Sequence, residues 1–102
     1  MILGFENDEI RKTCTIEAYA YELLPPASAD LLKEFLADCE AANRLGDLPF
    51  PPTLNAEDML QVNLSNGILL ILSPNHPKDK KSKRPLEETY RVKIIEIRKD
   101  VS

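Results

Sequence analysis

The sequence predicts an α+β fold of order β-α-α-β-β-β, with a helical hairpin packed on a small, mostly antiparallel sheet. Three observations predict it. Two stretches in the first half carry apolar residues at helical spacing and meet at Pro25-Pro26. The second half holds alternating or continuous apolar runs, two of them flanking the hairpin signal Asn66-Gly67. A short apolar run, Ile2 to Phe5, precedes the first helix and suits a strand. With 102 residues, 43% hydrophobic and 29% charged, the chain suits a single globular domain over residues 1–102.

The elements follow in order. After the first strand, Asn7 or Asp8 offers a helix cap, because a short polar side chain can accept from the free N–H groups of the first turn. Ile10, Cys14, Ala18 and Tyr21 then lie on one helical face, and Pro25-Pro26 ends the helix. Ser28 caps the next helix, and Asp30 sits in its positive first turn. Leu31, Phe35, Cys39 and Ala42 form its apolar row, widened by Leu32, Leu36 and Leu45, and Gly46 is the expected stop. Pro49 to Pro52 is a stiff connector to the sheet.

Met59 to Ser65 alternates, with Leu60, Val62 and Leu64 on one face. A two-residue Asn66-Gly67 turn would pair Leu64 with Leu69, Asn63 with Leu70, Val62 with Ile71 and Gln61 with Leu72. The second strand is apolar on both faces, which places it centrally in the sheet. Ser73 to Glu88, with three prolines and a basic run, reads as a long mobile loop. Tyr90 to Arg98 is the last strand. Val92 and Ile94 alternate with Arg91 and Lys93, but Ile95 and Ile97 fall on the Arg91 side. Either both faces are partly covered or a bulge changes the phase.

Composition narrows the function classes. Two lone cysteines, Cys14 and Cys39, and one histidine make no metal site, and the thiols read as small core residues of a reducing compartment. A disulfide between the two helices is the alternative. The longest apolar stretch, Ile68 to Leu72, is far short of a membrane span, and the acidic start is unlike a signal peptide. A cytoplasmic protein without membrane association is expected. The net charge of −4 is unevenly placed: residues 1–58 hold 12 acidic and 4 basic residues, residues 59–102 hold 5 acidic and 9 basic. Nucleic-acid binding needs local positive potential, which the second half can supply.

Several runs carry a family resemblance. They are Ile2-x-x-Phe5, Arg11-x-x-Cys14, Leu32-x-x-x-Leu36-Ala37-Asp38, Leu45-Gly46-Asp47-Leu48-Pro49 with Pro52, Gln61-Val62-x-Leu64-x-x-Gly67, Asn75-His76-x-Lys78, and Arg91-Val92-Lys93-Ile94-Ile95-x-Ile97. In this order and spacing the chain resembles the RelE/ParE superfamily of small bacterial toxins, nearest the HigB-like killer proteins of type II toxin–antitoxin and plasmid-maintenance systems. The resemblance implies a RelE-like fold, a helix-turn-helix antitoxin as partner, with a toxin–antitoxin heterotetramer as one assembly, and cleavage of messenger RNA on the ribosome. That chemistry is attack of a ribose 2′-hydroxyl on the adjacent phosphate. It calls for a base, an acid for the leaving 5′-oxygen and cations for the phosphorane, and for no metal or cofactor.

The resemblance assigns Arg91 and Lys93 to phosphate binding, with His76 as a proton-transfer group. Each has a plain counterpart: an ordinary strand face for the pair, a solvated side chain for the lone loop histidine. Lys78, Lys80, Lys81, Lys83 and Arg84, with Arg98 and Lys99, are candidate RNA-backbone contacts or simply solvated charge. Two positions depart from the family. Leu69 stands where active relatives carry arginine, and Asp100-Val101 replaces a closing Tyr-His pair. Three readings therefore stand together: a metal-independent messenger-RNA endoribonuclease with an altered site, a non-enzymatic module that keeps antitoxin or ribosome binding, and a ParE-like inhibitor of DNA gyrase.

Overall fold

The computed structural model describes residues 1–56, 59–74 and 88–99. Among them the chain runs β1 (Ile2–Phe5), α1 (Asp8–Thr15), α2 (Glu17–Leu23), α3 (Pro26–Ala41), β2 (Thr53–Leu54), β3 (Leu60–Asn63), β4 (Ile68–Pro74) and β5 (Arg91–Lys99). A 3-10 turn, Leu45–Asp47, follows α3. The strands form one open sheet of order β1-β5-β4-β3-β2. Only the β1–β5 pair is parallel; the other neighbours are antiparallel. The architecture is α+β, with the doubly apolar strand β4 at the centre of the sheet.

The expected first helix is two helices. Asn7 caps α1, its side chain accepting from the Ile10 N–H at 2.9 Å. At Ile16 the backbone turns extended (φ −112°, ψ 106°). Thr13, Thr15 and Ile16 are β-branched and resist helical χ1 crowding, and the hydroxyls of Thr13 and Thr15 bond back to the carbonyls of Glu9 and Arg11. The break resets the phase. Ile10 and Cys14 still face inward, but beyond it Ala20 and Leu24 are buried while Ala18 and Tyr21 are exposed.

The next helix starts at Pro26, two residues before the expected cap, because proline is preorganised for the first helical position. Ser28 is buried, and its hydroxyl donates to the Ser65 carbonyl at 3.3 Å. The helix ends at Ala41, short of Gly46, which lies in the 3-10 turn. Its buried stripe is Ala29, Leu32, Phe35 and Cys39, so Leu31 is displaced to the surface at 38% exposure.

The hairpin register differs from expectation by one residue. Leu60 pairs with Leu72, Gln61 with Ile71, Val62 with Leu70 and Asn63 with Leu69. The turn takes three residues, Ser65, Asn66 and Gly67, all with positive φ (73°, 53° and 72°). It is closed by the Leu64 N–H donating to the Ile68 carbonyl at 2.8 Å. A one-residue slip changes which side chains share a face. Here it puts Leu60, Leu64, Leu70 and Leu72 together under the helices, where each is fully buried. Each such leucine contributes roughly 1.5–3 kcal/mol by burial.

Two further differences concern the ends of strands. Thr53–Leu54 adds a short edge strand that the sequence pattern did not mark. Ser73 and Pro74, expected in a loop, extend β4 and pair with Lys93 and Val92. The rest of that expected loop lies outside the described residues, Glu88 excepted. In β5 the ambiguity resolves as a bulge: Leu72 pairs with Ile94 but Ile71 with Glu96, leaving Ile95 extra. The phase shift carries Ile97 inward against the core.

Candidate nucleic-acid interface

The sheet face turned away from the helices is built by β5 and its neighbours. Val92 and Ile94 are buried in the core, so Arg91 and Lys93 point to the other face. Beyond the bulge, Glu96 and Arg98 take that same face, beside Ile71 and Leu69. This face is not bare. Ile71 is fully buried, and Gln61, Leu69, Arg91, Lys93 and Arg98 are all half-buried.

The cations on this face differ in what holds them. Lys93 Nζ lies 3.2 Å from Glu6 Oε2, since Glu6 continues β1 alongside β5. Arg98 Nη2 lies 2.6 Å from Glu96 Oε1. Arg91 alone among these three has a buried nitrogen, Nε, without a hydrogen-bond partner. A guanidinium N–H that has given up water and gained nothing in return is costly, on the order of 1–3 kcal/mol. An oxyanion beside it would recover that cost.

Arg91 and Lys93 are brought together, about 7 Å apart along the strand at ~3.3 Å per residue. Arg98 shares their face but sits roughly 15 Å beyond Lys93 on the same rise. Leu69 is directly opposite Arg98 across the β4–β5 pair. Lys99 is not brought to this face. It is in phase with Ile97 and lines a cleft of about 260 Å³ with Ile10, Leu23 and Leu24, on the helical side. His76, Lys78, Lys80, Lys81, Lys83, Arg84 and Asp100 lie outside the described residues.

Glu6 and Glu96 were not legible as parts of this site. Glu6 reaches Lys93 through the parallel β1–β5 pairing, which leaves no mark in sequence spacing, and Glu96 reaches Arg98 as its i−2 neighbour on the same strand face, which the bulge turns toward Arg91 and Lys93. The thiols offer no nucleophile. Both cysteines are free, and burial pushes Cys14 and Cys39 up to about 12, so both stay protonated at neutral pH. Among the described residues no group of three or more His, Cys, Asp or Glu is placed to hold a metal. No helix among them is long and apolar enough to cross a membrane.

The chain matches no protein-family model, no curated protein and no solved structure.

Proposed function

We propose that the chain is the toxin component of a type II toxin–antitoxin module of the RelE/HigB-like kind, and that it engages RNA on the sheet face carrying Arg91 and Lys93. The observation that carries the reading is the buried, unpartnered Nε of Arg91 two residues from Lys93. A phosphodiester is the anion that a messenger-RNA cleaving toxin must hold there. The element order of a leading strand, a helical layer and antiparallel strands fits a RelE-like fold.

In this reading Arg91 donates to a phosphate oxygen and Lys93 supplies a second positive charge, both stabilising the phosphorane more than the ground-state phosphate. His76 remains the sequence's candidate for moving the proton. The assembly partner is a helix-turn-helix antitoxin, and the site of action is messenger RNA on the ribosome. Nothing in the reaction scheme requires a cofactor.

A second reading, a non-enzymatic module that binds but does not cleave, has its own support. Leu69 puts an apolar side chain where active relatives hold an arginine, and carboxylates neutralise Lys93 and Arg98. Induced expression, read by growth and by mapping messenger-RNA ends, separates the two. Growth arrest with new ends inside coding sequences is the expected result. Antitoxin binding without arrest or new ends selects the second reading. Arrest without new ends removes the RNA reading in favour of a protein target such as gyrase.

A further inference from the structure

The sheet edge beside Arg91 and Lys93 holds a glycine that its backbone does not require. In the parallel β1–β5 pair, Ile2 is the partner of Arg91 and Gly4 the partner of Lys93. Partners in neighbouring strands share a face, and side chains alternate along each strand. β1 therefore presents Ile2, Gly4 and Glu6 beside the two cations, while Leu3 and Phe5 pack against the core from the other face. Among the described residues no strand lies beyond β1.

The backbone positions with positive φ are Ser65, Asn66 and Gly67, and Gly4 is not one of them. Any residue could adopt its conformation. A glycine inside a strand weakens that strand, and it often marks the close approach of a ligand or another backbone. Here the missing side chain leaves a notch on the open face. Ile2 stands at one end and Glu6 at the other, roughly 13 Å apart at ~3.3 Å per residue, with the Lys93 strand about 4.8 Å to the side. Ile2 is 54% exposed, an apolar surface beside the arginine whose Nε is unpartnered. The rival use of Gly4 is structural: room for the Lys93 side chain on its way to Glu6.

We propose that this notch holds the nucleoside attached to the phosphate at Arg91 and Lys93, an inference that rests on the reading of this face as a phosphate site. The ribose lies over Gly4, and the base packs flat on Ile2. Arg91 and Lys93 hold the charge that every nucleic-acid backbone carries, so they position the strand without reading it. β1 adds a contact that only an unstacked base can make, which selects single-stranded RNA.

The test is fluorescence anisotropy with two labelled probes of equal length, a single-stranded RNA and the same backbone without bases. The wild-type chain should bind the RNA severalfold more tightly. Gly4→Val fills the notch with a good strand former, so RNA affinity should fall at least fivefold while the urea midpoint stays level or rises. Ile2→Ser, at an exposed position, should abolish the preference for bases and leave the affinity for the abasic strand unchanged. A wild-type chain indifferent to bases, or wild-type RNA affinity in Gly4→Val, overturns the proposal. So does a lowered urea midpoint in Gly4→Val, which would assign the glycine to the Lys93–Glu6 contact. RNA affinity lost in the Arg91→Ala, Lys93→Ala double variant but untouched by Gly4→Val and Ile2→Ser removes this inference alone. RNA affinity that survives the double variant removes the phosphate site with it.

Discussion

Replacing Glu6 by glutamine should tighten the binding of single-stranded RNA. The change keeps the shape of the side chain and removes its charge, which releases Lys93 from a contact of 3.2 Å. At that separation two unit charges interact by about 1.3 kcal/mol in a fully aqueous dielectric. The pair is partly exposed, at 35% and 46%, so screening and side-chain entropy reduce the net worth to roughly 0.2–1 kcal/mol. If that amount becomes available to a phosphate, affinity rises by up to about fivefold, at 1.4 kcal/mol per factor of ten. Fluorescence anisotropy of a short labelled RNA, at low and at moderate salt, measures it. One additional phosphate contact should also steepen the salt slope by about 0.7. Unchanged or weaker binding by Glu6→Gln, with the slope unaltered, would refute the idea that this carboxylate holds Lys93 back.

Two further predictions concern stability. Leu70→Ala, which empties a fully buried position on the central strand, should cost about 2–5 kcal/mol in urea unfolding; a loss below 1 kcal/mol would place that strand outside the core. Stability should hold up to about pH 9 and decline above it. Burial raises both thiols from 9.0 to about 12, so the unfolded chain loses these protons first as pH rises. That gap corresponds to on the order of 4 kcal/mol per thiol at its upper bound. The Asp30 hydrogen bond raises Tyr21 and the Glu17 hydrogen bond raises Lys33, so both act in the same direction, with support present below about pH 10 and lost above it. Urea midpoints that stay level from pH 7 to pH 11 would contradict the placement of the thiols.

Element types were legible in the residues, and phases were less so. Apolar spacing marked both helical regions, and the doubly apolar run Ile68 to Leu72 marked the central strand, because burial on two faces demands it. The break at Ile16 was missed because its cause is steric, a cluster of β-branched residues, while the apolar spacing runs on past it. The hairpin register was missed because Asn66-Gly67 so often makes a two-residue turn. Ser65 joined it in the left-handed region, and with three turn residues the four leucines share one face. The bulge at Ile95 was visible only as an irregular alternation.

The site was legible in part. Placing Arg91 and Lys93 on one face follows from strand periodicity alone. Arg98 joined them only through the bulge, and Lys99 left them for the same reason. The carboxylates that hold Lys93 and Arg98 come from a distant strand end and from a same-face neighbour. That the unpartnered nitrogen belongs to Arg91 depends on burial that no linear spacing encodes.

The most direct measurement is an NMR titration of the chain with short single-stranded RNA, set beside the Arg91→Ala, Lys93→Ala double variant. Amide shifts concentrated on the first half of β5 and its β1 neighbour, with affinity lost at least tenfold in the double variant, are predicted. An RNA affinity that survives the double substitution, or shifts gathered on the helical layer, would contradict a phosphate site on this sheet face.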